Sequence, residues 1–335
     1  MAKLKLGFIS AFNERVEPLM NGAIQVEGID LIPTYSHPAE TFWRQLKFAE
    51  FEVAEMSMSS FLIARSQGAD MIALPVFPSR RLFHTELSYH VDSGVNTPSD
   101  LAGKRLGVAE YQQTAALWIR GILEHDFGVS QYKIHWYMER SEEMSHGGAT
   151  GFKPPPGISF NRIAPNKSLA STLLANELDV AHVASPWVLQ ANALDRSSRI
   201  GGGDWSKIKP LFADRMAEGK RFCQKHGFLP VNHAYIIRGD IYRKFPWVAF
   251  NLYSAFVKAK AHFNARLVES IPSALFFGKE YLQMTREMFG DDPYPYGVKA
   301  NRKMLSTLID FSYGQGLTTK KMRVEELFAE STLDL

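Results

Sequence analysis

Cysteine is almost missing from this chain: Cys223 is the only one among 335 residues. One cysteine excludes an internal disulfide and any cysteine-rich metal centre, and it reads as a partly buried small side chain. Long apolar runs are missing too. The longest, such as ADMIALPVF, stop well short of the roughly 20 residues that cross a bilayer, so no helical membrane span is expected. Neither sign of charge prevails, since 38 Lys and Arg against 35 Asp and Glu leave a net +3. With no basic block and no basic helix interleaved with aromatics, nucleic acid and membrane are not expected partners. A slight positive excess focused in a cleft suits a small anion instead. The start MAKLKLGFIS lacks the apolar stretch of about 7–15 residues of an export signal, and the expected location is cytoplasmic. HExxH spacing, a GxSxG elbow, a P-loop and a GxGxxG fingerprint are all absent.

What is present is a rhythm of short apolar runs and helical patterns. KLKLGFIS, GIDLIPTY, FEVAEMSM and DMIALPVFP read as strands; EPLMNGAIQ, PAETFWRQLKF and SSFLIARSQG between them read as helices. That alternation predicts an α/β lobe with a largely parallel sheet, whose ligands sit at the carboxyl ends of the strands, here Ser10 to Asn13, Ser57 to Ser60 and Pro78 to Arg81. LFHTELSYHVD, residues 82–92, reads as a longer extended run crossing into a second lobe that opens with a new strand and the helix QTAALWIRGILEHDFG. IHWYM and DVAHVAS follow as strands, SLASTLLANELD and PWVLQANAL as helices. Residues 146–157, with four glycines and three successive prolines, read as a loop; its segment 147–157 is either a lid over a cleft or a surface excursion. LPVNHAYIIRGD reads as a strand crossing back. The expected division is therefore a discontinuous first lobe, 1–95 with 228–335, and a second lobe, 96–227, with hinges near 82–95 and 228–238.

Two α/β lobes joined by a double crossover hinge, with an interlobe cleft, resemble the type II periplasmic binding protein fold. TPSDLAGKRLGV and ELDVAHVASPW carry that likeness. AEMSMSSF, PVFPSRRLFH, GVAEYQQTAALWIRGIL, PYGVKANRKMLSTL and the following QGL, with LPVNHAYIIR and KFPWVAFNLYSAF, narrow it: from about residue 50 to 320 the chain resembles the 4,5-dihydroxyphthalate decarboxylases. The resemblance implies an enzyme that removes one carboxylate from a dihydroxylated aromatic diacid and leaves a dihydroxybenzoate. The chain departs from the pattern at Phe83, where an arginine is expected before His84, and at Asn232, where an apolar residue is expected before His233. A non-catalytic receptor for an aromatic or other small carboxylic acid is the competing reading.

Aromatic decarboxylation needs an acid that protonates the ring carbon, a base for a phenol proton, and an anchor for the carboxylate that stays. No organic cofactor is required and none is expected. His84, His233 and a carboxylate could together hold a divalent metal, which the sequence leaves open. Arg80 is the anchor of choice because a guanidinium fork meets a carboxylate through two hydrogen bonds; Arg81 either assists or turns to solvent. Were a strand to begin at Arg80, period-two alternation would place Arg80 and His84 on one face. His84 and His233 are the acid and base candidates, against the alternative of a histidine bonded structurally in each crossover. Glu110 is either a base for the phenol or a capping carboxylate. Tyr111, Gln112 and Thr114 lie at a helix N-terminus that favours anions. Ser57, Ser59 and Ser60 bond substrate or cap a helix. Ser185 and Trp187 are candidates from the second lobe, and Arg162 is a candidate for a second carboxylate contact on closure. A homo-oligomer is compatible with the sequence.

Overall fold

The structure is a computed structural model and describes residues 3–183, 196 and 203–335. The chain divides into two compact units: Met1–Arg81 with Cys223–Thr307 and Met322–Leu335, and Leu82–Phe222 with Leu308–Lys321.

In the first unit β1 (Leu4–Ser10), β2 (Ile29–Tyr35), β3 (Val53–Ser57) and β4 (Met71–Arg80) are joined by β11 (Val231–Arg238) in one five-stranded sheet of order β2-β1-β3-β11-β4. β1 runs parallel to β2 and β3, while β11 is antiparallel to β3 and β4. Every residue of β3, VAEMS, is buried. A strand covered on both faces is written almost wholly in apolar residues, so the one acid in it, Glu55, must find its partners inside. Phe8, Val53, Tyr235, Leu252 and Phe256 belong to the core of this unit. β11 places its N-terminal end beside the carboxyl ends of the strands it pairs with, His233 lying opposite Ser57 on β3 and Ser79 on β4. The pairing with β4 shifts register on either side of His233, an irregularity of the kind that re-aims a side chain.

The second unit holds a six-stranded sheet of order β10-β5-β9-β6-β7-β8, made from β5 (Leu87–His90), β6 (Arg105–Val108), β7 (His135–Met138), β8 (Ser159–Arg162), β9 (Val180–His182) and β10 (Ile208–Pro210). β6 to β9 run parallel to their neighbours in this set, and β5 is antiparallel to both β9 and β10. The expected extended run over 82–92 does not form. β4 ends at Arg80, Phe83–Glu86 is a turn of 3₁₀ helix, and only Leu87–His90 is strand. Because β5 pairs with β9 and β10, residues 82–95 fold with the second unit and not with the first, and 308–321 join it as well. The stretch 146–157 is not all loop, since His146–Thr150 is a short helix capped by the Ser145 hydroxyl.

Helix Thr114–Phe127 is buried over its first ten residues, and Gly121 is the reason it can lie against Phe311. A Cβ at Gly121 would fall 2.0 Å from the Phe311 ring. Gly121→Ala forces the whole ring aside and is expected to cost about 1–3 kcal/mol, read as a lower midpoint in urea unfolding.

Candidate active site

The carboxyl edge of the first sheet gathers a buried cluster of bonded polar groups, Ser10, Glu55, His233 and Tyr235. Glu55 Oε1 lies 2.6 Å from Nδ1 of His233. Its other oxygen accepts from the Ala11 N–H at 2.9 Å and from the Ser10 hydroxyl at 3.2 Å, and Ser10 Oγ is 2.7 Å from the Tyr235 hydroxyl. Burial works to raise the Glu55 pKa, but His233, the Ala11 N–H and Ser10 together outweigh it and hold the group below the usual carboxylate range. Glu55 is therefore ionised. The His233 ring packs edge-on to Phe42 at 4.8 Å between centroids, and its side chain keeps 11% of its surface accessible. A histidine held by a buried carboxylate, with one nitrogen left over and partial access, is equipped to transfer protons.

Arg80 ends β4 in the same unit, but its fork is occupied. Nη1 donates to the Leu229 carbonyl at 3.0 Å, and Nη2 to the Pro295 carbonyl at 2.9 Å and to Asn301 Oδ1. These acceptors are neutral, and burial pulls the guanidinium down to about 10. Nε is buried with no hydrogen-bond partner among the described residues, but both Nη2 hydrogens, one of which any two-bond carboxylate contact needs, are already given to Pro295 and Asn301. Its shared face with His84 does not exist, because β4 stops at Arg80 and the two residues belong to different units. Ser57 is the N-cap of helix Met58–Ser66, accepting from the Ser60 N–H, and Ser59 and Ser60 are buried in its first turn. Arg81 is exposed.

In the second unit His84 is fully buried, with Phe212 edge-on and Phe222 tilted against its ring. Its Nε2 lies 2.7 Å from Glu218 Oε1. Arg221 bonds both oxygens of Glu218 and reaches Asp126 at 2.8 Å. Burial would raise the Glu218 pKa, but Arg221 and His84 prevail and keep it low. Nε2 of His84 thus carries a hydrogen that it donates, while Nδ1 is buried with no hydrogen-bond partner among the described residues. Phe83, where the resemblance led to an arginine being expected, is buried in the same 3₁₀ turn with its ring toward His182.

Glu110 is also fully buried. It accepts from Arg140 at 2.8 Å, from the backbone N–H groups of His146 and Gly147 at 3.0 and 3.4 Å, and from Gln112. Burial opposes its charge, yet His146 and Arg140 hold its pKa below the usual range. A carboxylate so supplied with donors gives up bonds whenever it takes a proton, which, of the two roles the sequence left open, suits the capping carboxylate that anchors residues 140–147 better than the phenol base. Tyr111 donates its hydroxyl to Gln131 at 2.7 Å beneath the Arg120 guanidinium, a core position. Thr114 is the first residue of its helix and Gln113 the N-cap. Arg162 donates to the Arg140 carbonyl at 3.0 Å. It lines a cavity of about 60 Å³ with Tyr111, Gln112 and Lys153, too small beside the roughly 300–1,000 Å³ of ligand pockets to hold an aromatic diacid alone. Ser185 and Trp187 lie outside the described residues. Among the described residues no three His, Cys, Asp or Glu side chains are grouped to hold a metal ion, and no helix is long and apolar enough to cross a membrane.

The residues that sequence reasoning missed are the carboxylates behind the two histidines. Glu55 had a signal, as the lone acid in the apolar run VAEMS. Glu218 had none, being one of many charges on the polar helix Arg215–His226.

Compared with known proteins, the chain is 29% identical to a 4,5-dihydroxyphthalate decarboxylase of Comamonas testosteroni, over the whole of this chain and 99% of that protein. It is 34% identical to a 4,5-dihydroxyphthalate decarboxylase of Pseudomonas putida over 180 residues, 53% of this chain and 70% of that protein. No protein-family model matches. Among solved structures it is similar to the periplasmic aliphatic sulphonate binding protein SsuA of Escherichia coli, with a TM-score of 0.54 and 13% identity over 98% of this chain and 92% of that one. That likeness establishes a periplasmic-binding-protein-like α/β fold.

Proposed function

The chain belongs to the 4,5-dihydroxyphthalate decarboxylase family, and from that premise we propose that this carboxy-lyase acts on 4,5-dihydroxyphthalate or a close hydroxylated aromatic diacid and releases carbon dioxide and a dihydroxybenzoate. The full-length likeness to a decarboxylase carries the reading. His233 supplies the proton. The ring carbon bearing the leaving carboxylate takes it, using ring electrons supplied by the hydroxyl para to that carbon. The bond to the carboxylate carbon then breaks, its electron pair restores aromaticity, and carbon dioxide departs. His84 with Glu218 is the second acid–base candidate. Arg80 contributes positive charge near the strand end, acting on the spectator carboxylate through its field. A cytoplasmic location and independence of metal and organic cofactors are parts of the same proposal.

Solute binding without turnover is the second reading, favoured by the fold likeness to a sulphonate-binding protein. Anaerobic incubation with a panel of hydroxylated phthalates and benzoates, with and without chelator, separates the two. The expected result is carbon dioxide in equal amount to a dihydroxybenzoate, at a rate the chelator leaves unchanged. Normal binding of every compound with no carbon dioxide released would give the case to the second reading.

A further inference from the structure

The hydrogen bonds around Glu55 fix where the hydrogen shared with His233 sits. Burial and the neighbouring Glu55 charge push the Tyr235 phenol well above its ordinary value, so its hydroxyl keeps its hydrogen and donates to Ser10 Oγ. The Ser10 hydroxyl then has two acceptors in reach, the Ala11 carbonyl at 2.9 Å and Glu55 Oε2 at 3.2 Å, and Oε2 also accepts the Ala11 N–H. Glu55, ionised, has no hydrogen to offer, so the 2.6 Å contact with His233 requires the hydrogen on Nδ1. Ionised Glu55 therefore acts on one ring nitrogen and selects one tautomer of His233.

We propose that Glu55 is the positioning residue of this reaction: it orients the His233 ring, holds a proton on Nδ1, and leaves Nε2 as the nitrogen that exchanges a proton with substrate. The proposal rests on the decarboxylase reading given above. It makes a specific demand on Glu55→Gln. The Ala11 N–H still needs an acceptor, so the amide oxygen takes the Oε2 place and the NH₂ faces His233 Nδ1. A donor in that place reverses the tautomer. Glu55→Asp keeps an acceptor and does not.

Nitrogen-15 NMR of protein labelled in the histidine rings, with the His233 signals identified by their loss in His233→Asn, reads the neutral tautomer directly at alkaline pH. Wild type and Glu55→Asp are expected with hydrogen on Nδ1, and Glu55→Gln with hydrogen on Nε2. Glu55→Gln is further expected to lose kcat by about 10²-fold or more, as wrong-tautomer variants do, with KM little changed and part of the rate kept in Glu55→Asp. Hydrogen on Nε2 in an active wild type overturns the proposal, as does a Glu55→Gln protein with wild-type kcat or one that loses kcat with its tautomer unchanged. Should Glu55→Gln not fold, the tautomers of wild type and Glu55→Asp decide. A wild type that decarboxylates nothing in the panel sinks the functional reading itself, a different result from a wrong tautomer in an active enzyme.

Discussion

His233→Asn is expected to lower kcat for decarboxylation by about 10²–10⁴-fold, the usual yield of a positioned general acid, which corresponds to roughly 3–5 kcal/mol of transition-state stabilisation. Asparagine is the informative replacement. Its amide NH₂ stands where Nδ1–H stood and can still donate to Glu55 Oε1, so the buried carboxylate keeps its partner and the fold is not disturbed by an orphaned charge. What is lost is Nε2, the ring nitrogen that is not bonded to Glu55. A protein that unfolds at the wild-type temperature, binds substrate with similar affinity and releases carbon dioxide hundreds of times more slowly meets the expectation. Wild-type turnover in His233→Asn would remove His233 from the chemistry and turn attention to His84, whose own Nε2 is already given to Glu218.

Glu110→Ala has its largest effect on stability. Removing the carboxylate leaves Arg140 without the partner at 2.8 Å and strips acceptors from two backbone N–H groups; breaking such a buried pair costs about 3–5 kcal/mol. The effect depends on pH with a definite sign. The folded-state pKa of Glu110 is depressed, so its contribution is fully present above the unfolded value of about 4.3 and disappears as pH falls through the folded value. Urea unfolding of wild type and Glu110→Gln should therefore differ most near neutrality and converge in acid. Were Glu110 instead the base for a substrate phenol, Glu110→Gln would fold with wild-type stability and lose kcat alone.

Much of the fold was legible because short apolar runs alternate with helical patterns, and period is a local property. The strands of the first unit and LPVNHAYIIR were all readable in this way. LFHTELSYHVD misled because its alternation of apolar and polar residues satisfies a strand template as well as it satisfies a 3₁₀ turn followed by four residues of strand. The turn forms because His84 and Phe83 both bury, which no period-two pattern foresees. The short strands Ser159–Arg162 and Ile208–Pro210 gave no signal of their own, since each exists only by pairing at or near a sheet edge.

The sequence by itself determined the α/β class, the likeness to a decarboxylase family and the two histidines, since these rest on local pattern and on residue type. Only the tertiary structure decided what each polar group is bonded to. Glu55 and His233 are 178 positions apart in sequence, Arg80 and Asn301 221 positions. Strand pairing and burial bring such groups together, and burial then compels each to find a partner or pay its desolvation cost. That is why Arg80 and Glu110, well suited to a substrate on paper, have partners that already occupy them, while His233 keeps a nitrogen free of Glu55.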